Sequence, residues 1–168
     1  MLLDDFSRTD LISARGTAWR GVSDRVMGGV SDVRIARETI AGRAALRLTG
    51  TVSLENNGGF VQAAVDLDPQ GAPVDLSDFA GLRLTARGNG EAYSVHLKTA
   101  DTARPWQSYR AGFTADGTWR TLDLPFSGFR PHRVEAPLDT SRVRRLGLVA
   151  IGREFKADLA VAELLFYS

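Results

Sequence analysis

Few residues in this chain could carry acid–base, nucleophilic or metal chemistry. It has two histidines, His96 and His132, and no cysteine. The missing cysteines exclude a thiol nucleophile, a disulfide scaffold, cysteine-bound zinc and iron–sulfur clusters. The two histidines are far apart in sequence, so no His-x-x-x-His pair supplies a zinc hydrolase. His96 lies mid-strand on the polar parity, and His132 follows Pro131 in a loop. No Gly-x-Ser-x-Gly elbow or Walker loop is present. Gly88-Asn89-Gly90 opens like a dinucleotide fingerprint but runs into Tyr93 and a strand, which predicts a hairpin turn. Asp66-Leu67-Asp68-Pro69-Gln70-Gly71 opens like a calcium loop, but Ser77 stands where the bidentate glutamate belongs. Asp5 and Asp158, near the first and last strands, are the remaining pair considered for a structural cation. The expectation is a protein with no cofactor, no metal and no catalytic residues.

Residues so placed need a framework, and the periodicity supplies one. Tyr93, Val95 and Leu97 alternate with Ser94, His96 and Lys98, and Gln107, Tyr109, Ala111 and Phe113 with Ser108, Arg110 and Gly112. Leu46, Leu48, Val52 and Leu54 share a parity. A period of two means half-buried strands. The last strand carries apolar residues on both parities, Leu159, Val161 and Leu165 against Ala160, Ala162, Leu164 and Phe166, and is expected to be buried on both sides. Seventeen glycines and six prolines punctuate the chain, and no amphipathic helix of three turns is visible. This pattern predicts an all-β sandwich or barrel, as one domain over residues 1–168. Asp75–Leu84 can be laid on Asp139–Leu148, with Asp, Ser, an apolar residue and two leucines at matching offsets. Each copy reads as a polar cap, one helical turn near Asp75–Phe79 or Asp139–Val143, then a strand.

Charge narrows the partners. Lys+Arg number 21 and Asp+Glu 20. Through Leu84 there are 9 basic and 11 acidic residues, and after it 12 and 9, so neither half carries a nucleic-acid-sized basic field. No apolar run reaches the length of a transmembrane helix. Asp4 and Asp5 are incompatible with a signal peptide, so the chain is expected to stay where it is made.

Three stretches are not ordinary strand filler: Trp19 with VSDRVMGGVS (Val22–Ser31), ENNGGF (Glu55–Phe60) and WQSYRAGF (Trp106–Phe113). Met-Gly-Gly suits a bulge or tight corner. Asn57-Gly58 is a strong hairpin signal, predicted to join a strand ending at Leu54 to one starting at Phe60. Unusual residues in distant segments are most simply explained by one site, which predicts that Trp19, Asp24, Arg25, Met27, Gln107 and Tyr109 meet on one side of the sandwich.

Together with WRTLDLPFSGFRP (Trp119–Pro131), these stretches resemble the complex I intermediate-associated protein 30 family, in family order and over most of the chain. The resemblance implies a galactose-binding-like jelly-roll β-sandwich and a non-catalytic role, because in mitochondria the family helps assemble respiratory complex I. It implies a protein partner, a complex I subunit or assembly intermediate, and no nucleic acid. Lacking a presequence, the chain looks like a bacterial, cytoplasmic relative, peripheral to the inner membrane through its partner. Trp19, Asp24, Arg25, Met27, Asn56, Asn57, Gln107 and Tyr109 are the candidate binding residues, with Met27, Trp19 and Tyr109 as anchors. The alternative is a jelly-roll carbohydrate-binding module, in which Asn56, Asn57, Gln107 and Tyr109 would face a sugar.

Overall fold

The computed structural model describes all residues, 1–168. Twelve strands follow the predicted alternation: β1 Leu2–Asp4, β2 Arg20–Ser23, β3 Asp32–Ile40, β4 Arg43–Val52, β5 Phe60–Asp66, β6 Gly81–Arg87, β7 Ala92–Thr99, β8 Ser108–Thr114, β9 Arg120–Pro125, β10 Arg130–His132, β11 Val143–Ile151 and β12 Phe155–Tyr167. Short 3-10 turns occupy Asp24–Met27, Glu55–Asn57, Phe126–Gly128 and Thr140–Arg142. No helix is long and apolar enough to cross a membrane.

Two six-stranded antiparallel sheets face each other. The first runs β3-β4-β12-β6-β9, with β1 pairing the C-terminal part of β12, and the second runs β10-β8-β7-β11-β5-β2. The inward parity of each sheet fills one core: Leu46 and Leu48 on β4, Leu82 and Leu84 on β6, Tyr93, Val95 and Leu97 on β7, Leu146 and Leu148 on β11. This is a jelly-roll β-sandwich, nearly all β.

Several local expectations change. β12 is buried on both sides over Leu159–Ala162, as expected, but its parities change roles along the strand. A bulge between Val161 and Glu163 shifts its register, so Leu159 and Val161 before it and Leu164 and Phe166 after it all point inward. Ala160 and Ala162 pack outside against Ile40 and Trp119. Neither glycine-rich turn is a hairpin. Gly88–Gly90 leads from β6 in the first sheet to β7 in the second, and Glu55–Gly59 leads from β4 to β5, again across sheets. The two-residue hairpin is Ala41-Gly42, between β3 and β4, with φ of 46° and 82°. β4 ends at Val52, so Leu54 leaves the core parity and is exposed. The Asp139 cap holds a 3-10 turn, but its counterpart at Asp75 is only a turn, closed by Phe79 N–H donating to Leu76 O. The copies lie side by side, with Val74 bridging Val143 and Leu76 N–H donating to Thr140 O. Asp5 and Asp158 do not share a site. Asp4 pairs with Leu164, six residues along β12 from Asp158, or about 20 Å. Asp158 is clamped by Arg47 at 2.9 and 2.8 Å.

One side chain fastens the two sheets through a polar contact. Tyr93, buried on β7, places its hydroxyl where the Asp158 N–H of β12 donates to it at 2.9 Å, while the hydroxyl donates to Asn89 at 2.6 Å. Tyr93→Phe keeps the ring and orphans both partners. It is expected to lower stability by about 1–3 kcal/mol, read from the urea midpoint at unchanged m-value.

Candidate functional site

The residues Val22–Ser31 and Ser53–Phe60 form two of the corners at which the chain switches sheets, from β2 to β3 and from β4 to β5. A corner breaks the ladder and leaves backbone N–H groups in need of acceptors. Asp24, fully buried, supplies them. Its Oδ1 accepts from Ser31 N–H at 2.9 Å. Its Oδ2 accepts from the Ser31 hydroxyl at 2.5 Å, Gly59 N–H at 2.5 Å and Phe60 N–H at 3.1 Å. Ser31 Oγ in turn accepts from Ser53 N–H at 2.9 Å. One carboxylate thus ties both corners and the end of β4 into a single knot. Burial pushes its pKa up, but the donors on Ser31, Gly59 and Phe60 outweigh that and hold it below the usual carboxylate value.

The glycines follow from this carboxylate. A Cβ on Gly58 would stand 2.6 Å from Asp24 Oδ2, and one on Gly29 would also collide with the carboxyl group. Gly58 has φ −76°, so close approach and not backbone handedness requires it. The positive-φ positions at these corners are Asn56 and Asn57, at 56° and 59°, Gly28 at 89° and Gly59 at 141°. Arg25 closes the first corner. Its guanidinium donates to Ser31 O at 3.0 Å and pairs with Asp32 at 2.8 Å.

What the knot displays is apolar. Val26 is 74% exposed, Met27 57% and Leu54 46%, all on the two tied corners. Asn56 and Asn57 are exposed beside Leu54. Asp24, Arg25, Met27, Asn56 and Asn57 therefore share one end of the sandwich. The other three candidates do not join them. Trp19 is buried, stacks at 5.8 Å on Phe6 and donates its indole N–H to Asp4 at 2.8 Å. Tyr109 is fully buried, with its hydroxyl donating to Ala136 O at 2.7 Å. Gln107 is used locally, accepting from Arg104 N–H and donating to Arg133 O. β8 lies four strand spacings from β2, about 19 Å, and Ser108 is at the sheet end opposite Ser23. The single cluster expected from economy is three separate places, because Trp19 and Tyr109 are core side chains with satisfied polar tips. Ser31, Ser53, Val26 and Leu54 were not singled out from the sequence. Ser31 had a signal, since it shares the unusual stretch with Asp24, whereas Leu54 sat on a core parity.

No three His, Asp or Glu side chains converge as a metal site requires. His96 is 8% exposed, on the outer side of β7, and its Nε2 is buried without a partner. Burial, then the charges of Arg110 and Lys98, push it down to about 3, and His132 is pushed the same way. Unfolding releases His96 to an ordinary histidine value of about 6.5, so the unfolded state binds the extra proton. Stability is then complete above pH 6.5 and lost as pH falls toward 3, by up to about 1.4 kcal/mol per pH unit from this group. His96→Gln is expected to flatten that slope in urea unfolding between pH 6.5 and 4.5, before Asp24 begins to lose its own contribution below about pH 4. Asp24→Asn at pH 7 is expected to cost about 3 kcal/mol or more, and Gly58→Ala about 1–3 kcal/mol. Because both break one knot, the double variant should fall short of their sum.

No curated protein matches the sequence. Solved structures do match in fold. The family 11 carbohydrate-binding module of the cellulosomal cellulase Lic26A-Cel5E of Clostridium thermocellum superposes with a TM-score of 0.75 at 15% identity, covering 100% of this chain and 94% of that one. The family 30 module of cellulase Cel9D-Cel44B from the same organism gives 0.68 at 13%, covering 98% and 97%. At such identity these establish the jelly-roll fold alone. The sequence itself carries more: residues 5–161, which include both tied corners, match the family described as Complex I intermediate-associated protein 30, and the chain belongs to that family.

Proposed function

We propose that this protein is a non-catalytic binding protein that assists assembly of respiratory complex I, the NADH:quinone oxidoreductase, by holding a subunit or assembly intermediate. It would act as one jelly-roll domain in the cytoplasm, reaching the inner membrane only through its partner. The observation that carries the reading is the knotted end of the sandwich. Exposed Val26, Met27 and Leu54 stand on corners made rigid by a buried carboxylate, with Arg25, Asn56 and Asn57 as a polar rim. Apolar anchors presented without ordering cost, ringed by polar groups, suit protein recognition. Met27 adds an adaptable contact. Tyr109 and Trp19 have no part as anchors, since both are buried.

The carbohydrate alternative draws on the fold likeness. Its side chains are less suited, because Tyr109 faces the core, Gln107 is spent on backbone groups, and Asn56 and Asn57 lie at the end of the sandwich.

Truncating a buried interface anchor typically costs about 2 kcal/mol, roughly thirtyfold in affinity. Val26→Asp with Met27→Asp, both on exposed positions, is expected to leave the urea midpoint of the isolated protein nearly unchanged. In the host, the same variant and the deletion strain are both expected to lose assembled complex I on native gels and NADH:quinone reductase activity. Normal complex in the deletion strain, with an oligosaccharide raising the melting temperature, would overturn the proposal in favour of the sugar reading.

A further inference from the structure

The cations of this chain divide into those that reach a carboxylate and those that do not. Arg8, Arg25, Arg47, Arg83, Arg120, Arg142 and Arg153 each reach a carboxylate. Others do not, Arg34 on the first sheet among them, but on the outer side of the second sheet such cations converge. Cross-strand pairing sets Arg145 on β11 between Asp66 on β5 and Lys98 on β7. The loop after β7 and the start of β11 then enclose an open cleft of about 420 Å³, into whose lining Lys98, Arg104, Arg144, Arg145 and Asp66 all enter. Asp66 is the one carboxylate there, and it is taken, by Arg145 at 2.8 Å and Arg20 at 3.6 Å. Lys98, Arg104 and Arg144 have no carboxylate partner. The Lys98 ammonium is instead held in place by the carbonyls of Pro105, at 2.7 Å, and Gln107. Arg144 touches only Gly71 O, at 3.2 Å.

We infer that this cleft is an anion site for a small phosphorylated molecule, a phosphate monoester or diphosphate. Acids are nearly as numerous as bases in the chain, so the cleft lacks counter-charges through placement and not through scarcity. Half-burying an ammonium beside guanidinium groups costs free energy unless an anion arrives. Burial first, and Arg145 and Arg110 after it, push Lys98 down to about 8. Three unmatched cations call for at least two negative charges. A single carboxylate falls short, whereas a phosphate dianion meets them and fits the guanidinium fork. The volume is that of a small-ligand pocket. The site is separate from the knotted corners, and its failure would leave the assembly proposal standing.

The test is calorimetric titration of inorganic pyrophosphate into the full chain at fixed ionic strength near 0.1 M. Saturable one-to-one binding is expected. Arg104→Ala with Arg144→Ala, both exposed, is expected to weaken it at least about tenfold, and Lys98→Met likewise. Arg34→Ala, an equally unpaired arginine on the first sheet, is expected to change nothing. No saturable binding at millimolar pyrophosphate would overturn the inference, as would an equal loss in Arg34→Ala. Tight binding of a single-stranded oligonucleotide without pyrophosphate binding would also overturn it, in favour of a nucleic-acid surface.

Discussion

A β-sandwich whose strands alternate between two sheets must turn corners, and at each corner the backbone leaves one ladder before joining the next. Here two such corners meet at one end, and Asp24 accepts hydrogen bonds from Ser31, Gly59 and Phe60 across both. The rest of that end depends on the carboxylate. It requires bare backbone at Gly29 and Gly58, it draws Ser31 against Ser53, and it sets where β3 and β5 begin. Local residues cooperate, since Asn56 and Asn57 take the left-handed conformation that the second corner needs. A buried charge is costly alone and strongly stabilising when every oxygen is matched.

The same economy of acceptors explains what this end can offer a partner. All polar demands are met inward, so the outward side of the corners is free to carry Val26, Met27 and Leu54. Apolar side chains at the tips of unsupported loops would collapse or sample many positions. On a knot of this kind they stand at fixed separations, which is what recognition without turnover needs. The proposed binding role draws on this geometry and on the family to which the chain belongs.

Charge is handled in two manners on one molecule. About half of the arginines reach a nearby carboxylate, such as Arg47 to Asp158 and Arg83 to Asp123. On the outer side of the second sheet Lys98, Arg104, Arg110 and Arg144 all lack acidic partners, and His96 is kept neutral on the same face. The net charge of +1 hides this completely, because the acids that balance it lie elsewhere.

The sequence by itself determined the strands, their inward faces and the all-β class, because side-chain parity along a strand is a local property. It also marked Val22–Ser31 and Glu55–Phe60 as unusual, and with them the family. It misread how those segments are used. Asn-Gly and Gly-Asn-Gly promise a reversal of direction, and the same left-handed residues serve a hairpin and a change of sheet equally well, so only the partner strand decides. Trp19 and Tyr109 looked like anchors because their polar tips were visible and their acceptors, Asp4 and Ala136, were not. The bulge at Ala162 and the basic cleft were beyond reading for the same reason. Register between β5, β7 and β11 brings Lys98 and Arg145 together across some forty-seven residues, and Asp24 meets Gly59 across thirty-five. Such meetings are set by strand register within a sheet and by the meeting of corners between sheets, which no local pattern encodes.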